Sequence, residues 1–272
     1  MHIIYAAAPL ALAALGVLLT ELSGSLTIAA EGFMVLGAFF SYFFTFLTGS
    51  ALLGVLLSTI LVAVLGFLLI TYIQKCNADP FISALALNIA AVGITGTASR
   101  LFFGTAGTLR SLNFMLPQYS FVVLACIFGI AVWLLIKKTV FGLRLTACGN
   151  SKTAAIEHGI RVARYKAASW VAAAAACAVC GAAVSLRIGV YSPGGIAGRG
   201  WLAIAAVYLG FRSAPGAAAA CLFAFIEQST FFIQRLANIN ATLILGLPSL
   251  LAVILYACVR GRARGGSVRD AS

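Results

Sequence analysis

The stretch "KKTVFGLRLTACGNSKTAAIEHGIRVARYK" (Lys137–Lys166), called the basic loop below, separates two long apolar runs. It holds seven of the 18 Lys and Arg residues of the chain and a single acid, Glu157. The rest of the 272-residue chain is very different: overall, 62% of its residues are hydrophobic and only 9% are charged, whereas a soluble domain carries about 25% charged residues. This pattern is typical of an aqueous loop that joins membrane-spanning helices.

The apolar runs predict an all-α, polytopic transmembrane helical bundle. About 20 apolar residues are needed to cross about 30 Å of hydrocarbon as a helix, and the alternating pattern of a membrane barrel is absent. We expect a single domain over residues 1–272 with about nine membrane segments. These segments are 3–20, 32–48, 50–73, 81–99, 119–136, 167–186, 200–211, 214–232 and 242–259. The seventh is short and Gly-rich at its start, which predicts a broken or re-entrant helix.

The distribution of Lys and Arg predicts how the chain is oriented in the cytoplasmic (inner) membrane. Most of the net charge of +12 comes from residues that flank apolar segments, which indicates membrane topology rather than binding of nucleic acid. The basic loop and the arginine-containing tail at 260–272 are both expected on the cytoplasmic side, because loops rich in Lys and Arg stay there. Five crossings counted back from the basic loop place the N-terminus outside, and the 100–118 loop is then external.

The centre of the basic loop predicts a short helix rather than a nucleotide-binding loop. In "GNSKT" (149–153) two residues separate the glycine from the lysine, and no predicted strand precedes it, so it is not a phosphate-binding loop. Asn150 or Ser151 can cap a helix that starts here, and Gly159 can end it in a left-handed conformation. Such a helix would be either a solvated surface or a docking surface for a cytoplasmic protein.

Three blocks of sequence resemble ABC-importer permeases of the branched-chain amino acid, ribose and nucleoside type. The basic loop is similar to the cytoplasmic loop of that family, with matches at Gly142, Leu143, Gly149, Ala154, Ala155, Gly159, Ile160 and Val162. Residues 9–41 resemble the first block of the nucleoside and simple-sugar branch, with matches at Ser23, Gly24, Ile28, Glu31, Gly32, Met34, Gly37 and Ala38. "GRGWLAIAAVYLGFRSAPGA" (198–217) resembles a third block, and the three follow the order of the family.

This resemblance implies that the chain is the membrane permease of an ATP-driven importer. Its partners would be cytoplasmic ATPase subunits, a second permease copy or paralogue, and an extracytoplasmic solute-binding protein. The coupling to the ATPase would involve Gly149, Asn150, Ala154, Ala155, Glu157, Gly159 and Ile160. The solute would be a nucleoside or a simple sugar. Riboflavin is an alternative, because flavin importers share this scaffold and because Thr27 and Ala29 replace the Asn and Gly of the family.

Four polar residues are candidates for the translocation pathway: Ser23, Thr27, Glu31 and Asn88. A charged side chain at the bilayer centre costs about 2.5–3.5 kcal/mol on insertion scales, so Glu31 is expected to face a partner or a cavity. It would either hold together the Gly- and Ser-rich break between the first two segments or act directly in the pathway. Asn88, in the middle of the fourth segment, would either make a hydrogen bond between helices or line the pore.

The sequence carries no pattern that points to catalysis. The seven cysteines lie mostly in apolar runs, which argues against a disulfide framework, and no Ser/His/Asp or Cys/His arrangement is evident. We therefore expect no enzyme activity, no cofactor and no metal in this chain. An ATP-independent secondary transporter or channel is the alternative of another class, but it would need paired charges deep in several segments and would leave the basic loop without a role.

Overall fold

The structure is a computed structural model that describes residues 2–25, 27–105, 107–110, 117–196 and 198–209. The elements are α1 (His2–Leu22), α2 (Ala30–Thr48), α3 (Ala51–Cys76), α4 (Pro80–Phe103), β1 (Leu109–Arg110), α5 (Gln118–Lys138), α6 (Val140–Asn150), α7 (Lys152–Glu157), α8 (Val162–Leu186), β2 (Val190–Tyr191) and α9 (Arg199–Leu209). The predicted segments at 214–232 and 242–259 and the predicted cytoplasmic tail at 260–272 lie outside the described residues.

The described part of the chain is mostly helical, as predicted. Five of its helices are long and apolar enough to cross a membrane: α2, α3, α4, α5 and α8. The apolar run Ala7–Leu22 of α1 adds a shorter candidate. The fold is therefore that of a multi-pass membrane protein, and each of these six helices coincides with a predicted segment to within a few residues.

The centre of the bundle is formed by α2 and α8, which pack against each other and against α1 and α3. Small residues allow their backbones to approach closely, since bulky side chains would hold the helices apart. A Cβ built at Gly37 of α2 would lie 2.5 Å from Ala178 Cα of α8, and one built at Gly181 would collide with the Met34 carbonyl. The alanine-rich sequence of α8 is thus explained by tight helix packing, and Cys177 and Cys180 are buried within it.

The bundle has two ends with different structures. At one end, the non-helical residues 23–25 and 27–29 separate α1 from α2, and Gly24 lies against the end of α6. At the same end, Gln74 Nε2 of α3 donates to the Ala163 carbonyl of α8 (3.1 Å). At the other end, β1 and β2 form a small antiparallel pair, with Leu109 opposite Tyr191. The whole basic loop therefore shares its end with the break between α1 and α2.

An irregular stretch precedes α9 inside the bundle. The Tyr191 ring packs edge-on against Phe39 of α2 at a centroid distance of 5.3 Å, whereas the Gly198 amide reaches Glu31 in the first turn of α2. Phe39 and Glu31 are eight residues apart in α2, so at 1.5 Å per helical residue the chain runs back along α2 by about 12 Å between Tyr191 and Gly198. Non-helical backbone at this depth is tolerated where protein surrounds it, and Ile196 in this stretch is buried. The predicted seventh segment begins after this irregular stretch, as α9.

Candidate functional site

The break between α1 and α2 is held from one side by the first turns of α8. Ser169 Oγ donates to Ser23 Oγ (3.0 Å), and Trp170 Nε1 donates to Ser25 Oγ (3.0 Å). Lys166 Nζ donates to the Gly24 carbonyl (3.3 Å). Gly24 itself has φ +69°, a left-handed conformation that glycine adopts without strain. Side chains of α8 therefore replace part of the backbone bonding that a continuous helix would supply.

Asn88 of α4 holds the same break from another side. Its Oδ1 accepts from the Gly32 amide (2.8 Å), and its Nδ2 donates to the Ile28 carbonyl (3.1 Å). The Gly32 amide belongs to the first turn of α2, where backbone donors have no partner within the helix. A Cβ on Gly32 would lie 2.7 Å from Asn88 Oδ1, so the contact requires glycine. Of the two expectations for Asn88, the structure shows the hydrogen bond between helices.

Glu31 lies in the first turn of α2 and joins it to the start of α9. Its Oε1 accepts from the Gly198 amide (3.0 Å). Gly200 packs on the same residue, because a Cβ placed there would lie 2.5 Å from Glu31 Cα. A carboxylate is favoured here by the partial positive charge at a helix N-terminus. Glu31 Oε2 is buried and has no hydrogen-bond partner among the described residues.

The other two pathway candidates, Ser23 and Thr27, are fully buried in the break. Ser23 Oγ donates to the Thr20 carbonyl (2.7 Å) in addition to its contact with α8. Thr27 Oγ1 is buried without a hydrogen-bond partner in the described part of the chain. A buried polar atom without a partner costs about 1–3 kcal/mol. Among the described residues, two such oxygen atoms thus lie in and next to the break: Thr27 Oγ1 within it and Glu31 Oε2 in the first turn of α2.

The predicted short helix of the basic loop is confirmed as α7. Ser151 Oγ accepts from the Ala154 amide (3.3 Å) as an N-cap, and Gly159 follows the helix with φ +74°. The preceding helix, α6, was not predicted. Its sequence signal is Thr139, whose Oγ1 accepts from the Gly142 amide (3.1 Å) as an N-cap.

The two alanines of α7 face in different directions. Ala155 is only 2% exposed and packs with Cys148 and Val162 in a small cluster inside the loop. Ala154 is exposed, and the neighbouring Ile156 side chain is 55% exposed. Burial raises the pKa of the Cys148 thiol, and the Lys166 ammonium group opposes this rise. The outer surface of α7 is thus formed by Ala154 and Ile156, while Ala155 anchors the helix to α6 and α8.

The remaining predicted coupling residues lie on both sides of α7. Asn150 and Glu157 are exposed, Gly159 is exposed at the turn, and Ile160 packs partly buried on the cluster around Ala155. In the described residues, no group of three or more His, Cys, Asp or Glu side chains is arranged to hold a metal ion.

Gly149, at the end of α6, brings the basic loop into backbone contact with the helix break. A Cβ built at Gly24 would lie 2.9 Å from Gly149 Cα, and one built at Gly149 would collide with the Leu22 carbonyl. From sequence alone, Gly149 is expected in coupling and the break in the pathway, as separate sites. Their contact depends on the positions of two glycines far apart in the chain, and no local sequence pattern signals it.

Two relatives of known name match nearly the whole chain. In an alignment of 287 positions, it is 28% identical to the guanosine ABC transporter permease protein NupQ of Bacillus subtilis. The alignment covers 94% of this chain and 90% of that protein. The chain is 26% identical over 262 residues to the putative glucose ABC transporter permease protein TsgC13 of Haloferax volcanii, covering 86% of this chain and 77% of the relative.

A solved structure has the same fold, and a family description covers most of the sequence. PsaBC from Streptococcus pneumoniae, in complex with Fab, contains a chain that matches with a TM-score of 0.55 at 15% identity, over 94% of this chain and 88% of that one. At this identity the likeness concerns the fold alone. The family described as the permease component of branched-chain amino acid transport systems matches residues 1–255. The chain therefore belongs to this family of membrane permeases.

Proposed function

We propose that residues 1–272 form one permease domain of an ATP-driven importer and that its solute is a nucleoside. The guanosine name of the Bacillus relative supports a nucleoside. A simple sugar is the second candidate, supported by the putative glucose name of the Haloferax relative, whose match covers less of both chains. Both names favour these solutes over riboflavin.

The end of the bundle that carries the basic loop is proposed to face the cytoplasm. Seven Lys and Arg residues lie in the basic loop, and Lys75 in the last turn of α3 lies at the same end. Loops rich in Lys and Arg stay in the cytoplasm. The break after α1 also lies at this end, so the start of α1 lies at the opposite end. This orientation puts the N-terminus outside, and the tail at 260–272 is proposed to be cytoplasmic.

The proposed partners follow from the exposed surfaces and the family. The ATPase subunit would dock on the outer surface of α7 formed by Ala154 and Ile156, with Asn150 and Glu157 beside it. The outer faces of α3, α4 and α5, most of whose side chains are not buried, would meet lipid and a second permease copy or paralogue. An extracytoplasmic binding protein would deliver the solute at the end that carries β1 and β2.

One observation carries the mechanism: the backbone contact between Gly149 and Gly24. Through it, a displacement of the basic loop by the ATPase would press directly on the break between α1 and α2. Opening the break would expose Thr27 Oγ1 and Glu31 Oε2, which have no hydrogen-bond partner among the described residues. Sugar hydroxyl groups can donate hydrogen bonds, and both Thr27 Oγ1 and Glu31 Oε2 can accept them. Ser23 and Asn88 would hold the break in its closed form.

The docking proposal is tested by two neighbouring substitutions in α7. Ile156→Asp places a charge on the outer surface, so we expect it to reduce co-purification of the ATPase and ATP-driven guanosine uptake together. It should leave Cys148 protected from maleimide in a variant that keeps only this cysteine. Ala155→Trp adds volume inside the cluster, where overpacking costs about 1–3 kcal/mol. We expect it to expose Cys148 to maleimide as well as to impair docking.

The two variants distinguish a lost contact with the ATPase from disturbed packing inside the basic loop. Normal co-purification and uptake in Ile156→Asp would show that α7 is not the docking surface. Wild-type vesicles supplied in turn with labelled guanosine, glucose, ribose or riboflavin identify the solute class. ATP-driven uptake of riboflavin alone, with none of guanosine, would overturn the nucleoside assignment without affecting the docking result, which co-purification measures independently.

A further inference from the structure

A basic groove lies beside α7 on the surface of the loop. It has a volume of about 590 Å³ and is lined by residues of α6, the turn after α7 and the start of α8. Arg144, Arg161 and Arg164 contribute to its walls, and none of the described residues that line it is acidic. Three arginines therefore line one groove without an acidic residue among the lining side chains, which makes the groove suited to an anion.

The geometry favours an anion with a planar or tetrahedral array of oxygen atoms. Arginine presents several N–H donors in a fixed fork that matches phosphate oxygens. Arg144 Nη1 donates to Tyr165 OH (3.4 Å), and the Tyr165 ring lies 5.1 Å from the Phe141 ring. These contacts orient the Arg144 side chain toward the groove. Arg161 is the N-cap residue of α8 and makes no side-chain capping bond, so the partial positive charge of that helix terminus adds to the field.

The position of the groove points to lipid rather than to a free solute. Val140 begins α6 two residues after the membrane helix α5 ends, and Arg161 immediately precedes the membrane helix α8. The groove thus lies at the level where two membrane helices leave the hydrocarbon. Val140 and Leu143, which line it, are 63% and 70% exposed. Exposed apolar side chains beside arginines fit a molecule with an anionic head and hydrocarbon chains.

We propose that the groove formed by Arg144, Arg161 and Arg164 binds the phosphate headgroup of an anionic phospholipid, whose acyl chains pack on Val140 and Leu143. Basic pockets at the cytoplasmic ends of membrane helices are suited to such headgroups. The bound lipid neutralises the arginines next to α7 and fixes the start of α8 relative to α6. It thereby steadies the surface on which the ATPase is proposed to dock, although lipid binding itself does not depend on that proposal.

The test measures lipid binding to the purified full-length permease in a neutral detergent. Native mass spectrometry counts the dioctanoyl phosphatidylglycerol retained, with dioctanoyl phosphatidylcholine as the zwitterionic comparison. We expect phosphatidylglycerol to bind at least about tenfold more tightly, and the double variant R161Q/R164Q to lose this preference. K137Q/K138Q is the matched control, since it removes the same charge from the last turn of α5, outside the groove. It should bind like the wild type.

Four outcomes would overturn the proposal. Equal binding of the two lipids, or an unchanged preference in R161Q/R164Q, would exclude a specific headgroup site. Displacement of the lipid by millimolar inorganic phosphate would identify a site for a free anion. Loss of ATPase co-purification in R161Q/R164Q, without any lipid preference in the wild type, would assign the groove to a protein contact. If the double variant exposes Cys148 to maleimide, R144Q on α6 replaces it and must itself abolish the preference.

Discussion

At the scale of single residues, the two oxygen atoms of Glu31 have different surroundings, and the proposed pathway role concerns only one of them. Oε1 accepts from the Gly198 amide and joins α2 to α9. Oε2 is buried without a partner among the described residues. The bond to Gly198 needs an acceptor but not a charge. In the proposed pathway role, a negative charge at Oε2 would strengthen a bond to the solute, since charge-assisted hydrogen bonds are about twice as strong as neutral ones.

This division leads to a prediction for Glu31→Gln. The glutamine carbonyl can still accept from Gly198, so the variant should be expressed and should unfold at nearly the wild-type temperature. Uptake of the solute should fall by roughly tenfold or more, because a charge-assisted bond is lost. Thermal unfolding in detergent and uptake by vesicles measure the two effects separately.

Glu31→Ala is the comparison, since it removes the acceptor as well as the charge. We expect it to lose about 1–3 kcal/mol of stability, because the Gly198 amide is left without its partner. Wild-type uptake in Glu31→Gln, together with unfolding in Glu31→Ala, would contradict a pathway role and leave Glu31 as a purely structural residue.

Single residues could be identified from the sequence, but their partners could not. Glu31 and Asn88 stand out because polar groups are costly in apolar segments. Their contacts with Gly198, Gly32 and Ile28 depend on how helices distant in sequence pack. Likewise, the sequence shows that Ala155 is small, but its burial depends on how α6 and α8 pack around it. A local sequence pattern does not predict that packing.

At the scale of elements, both ends of α6 are constrained, which is the basis for its proposed role in coupling. Thr139 caps its start directly after α5, and Gly149 at its end touches the break between α1 and α2. Ala155 of α7 packs on Cys148 in the last turn of α6. A push on α7 would thus move α6 as a unit. The cap and the glycine of α7 predict that helix from the sequence, whereas the residues of α6 lie in a polar loop whose pattern does not predict a helix.

The contact between Gly149 and the break predicts an uncoupled variant. Gly149→Ala places a methyl group against the Leu22 carbonyl, and overpacking of this kind costs about 1–3 kcal/mol. The outer surface of α7 is unchanged, so the ATPase should co-purify as with the wild type, while ATP-driven uptake falls. Gly93→Ala is the matched control, because a Cβ there meets nothing within 4 Å. It should retain uptake. Equal uptake in Gly149→Ala and the wild type would show that the contact between Gly149 and the break does not contribute to coupling.

At the scale of the whole molecule, the hydropathy pattern predicted the membrane helices well because length and apolarity are local properties. Six predicted segments correspond to α1 to α5 and α8. The pairing of β1 with β2 and the return of the chain along α2 before α9 were not predicted, since each joins residues far apart in sequence. The orientation in the membrane depends neither on local hydropathy nor on helix packing. It is predicted from the distribution of Lys and Arg.

The orientation predicts opposite labelling of two exposed positions. Gly107 lies just before β1, and Lys152 begins α7. Among the described residues between them, α5 is the one candidate membrane span, so we expect them to lie on opposite sides of the bilayer. Because the positive-inside rule assigns the basic loop to the cytoplasm, a membrane-impermeant maleimide should label Gly107→Cys in intact cells, each variant being made without the native cysteines. Lys152→Cys should react only after the membrane is permeabilised. The reverse pattern would invert the orientation and place α7 out of reach of a cytoplasmic ATPase, whereas labelling of both in intact cells would mean that α5 does not cross the membrane.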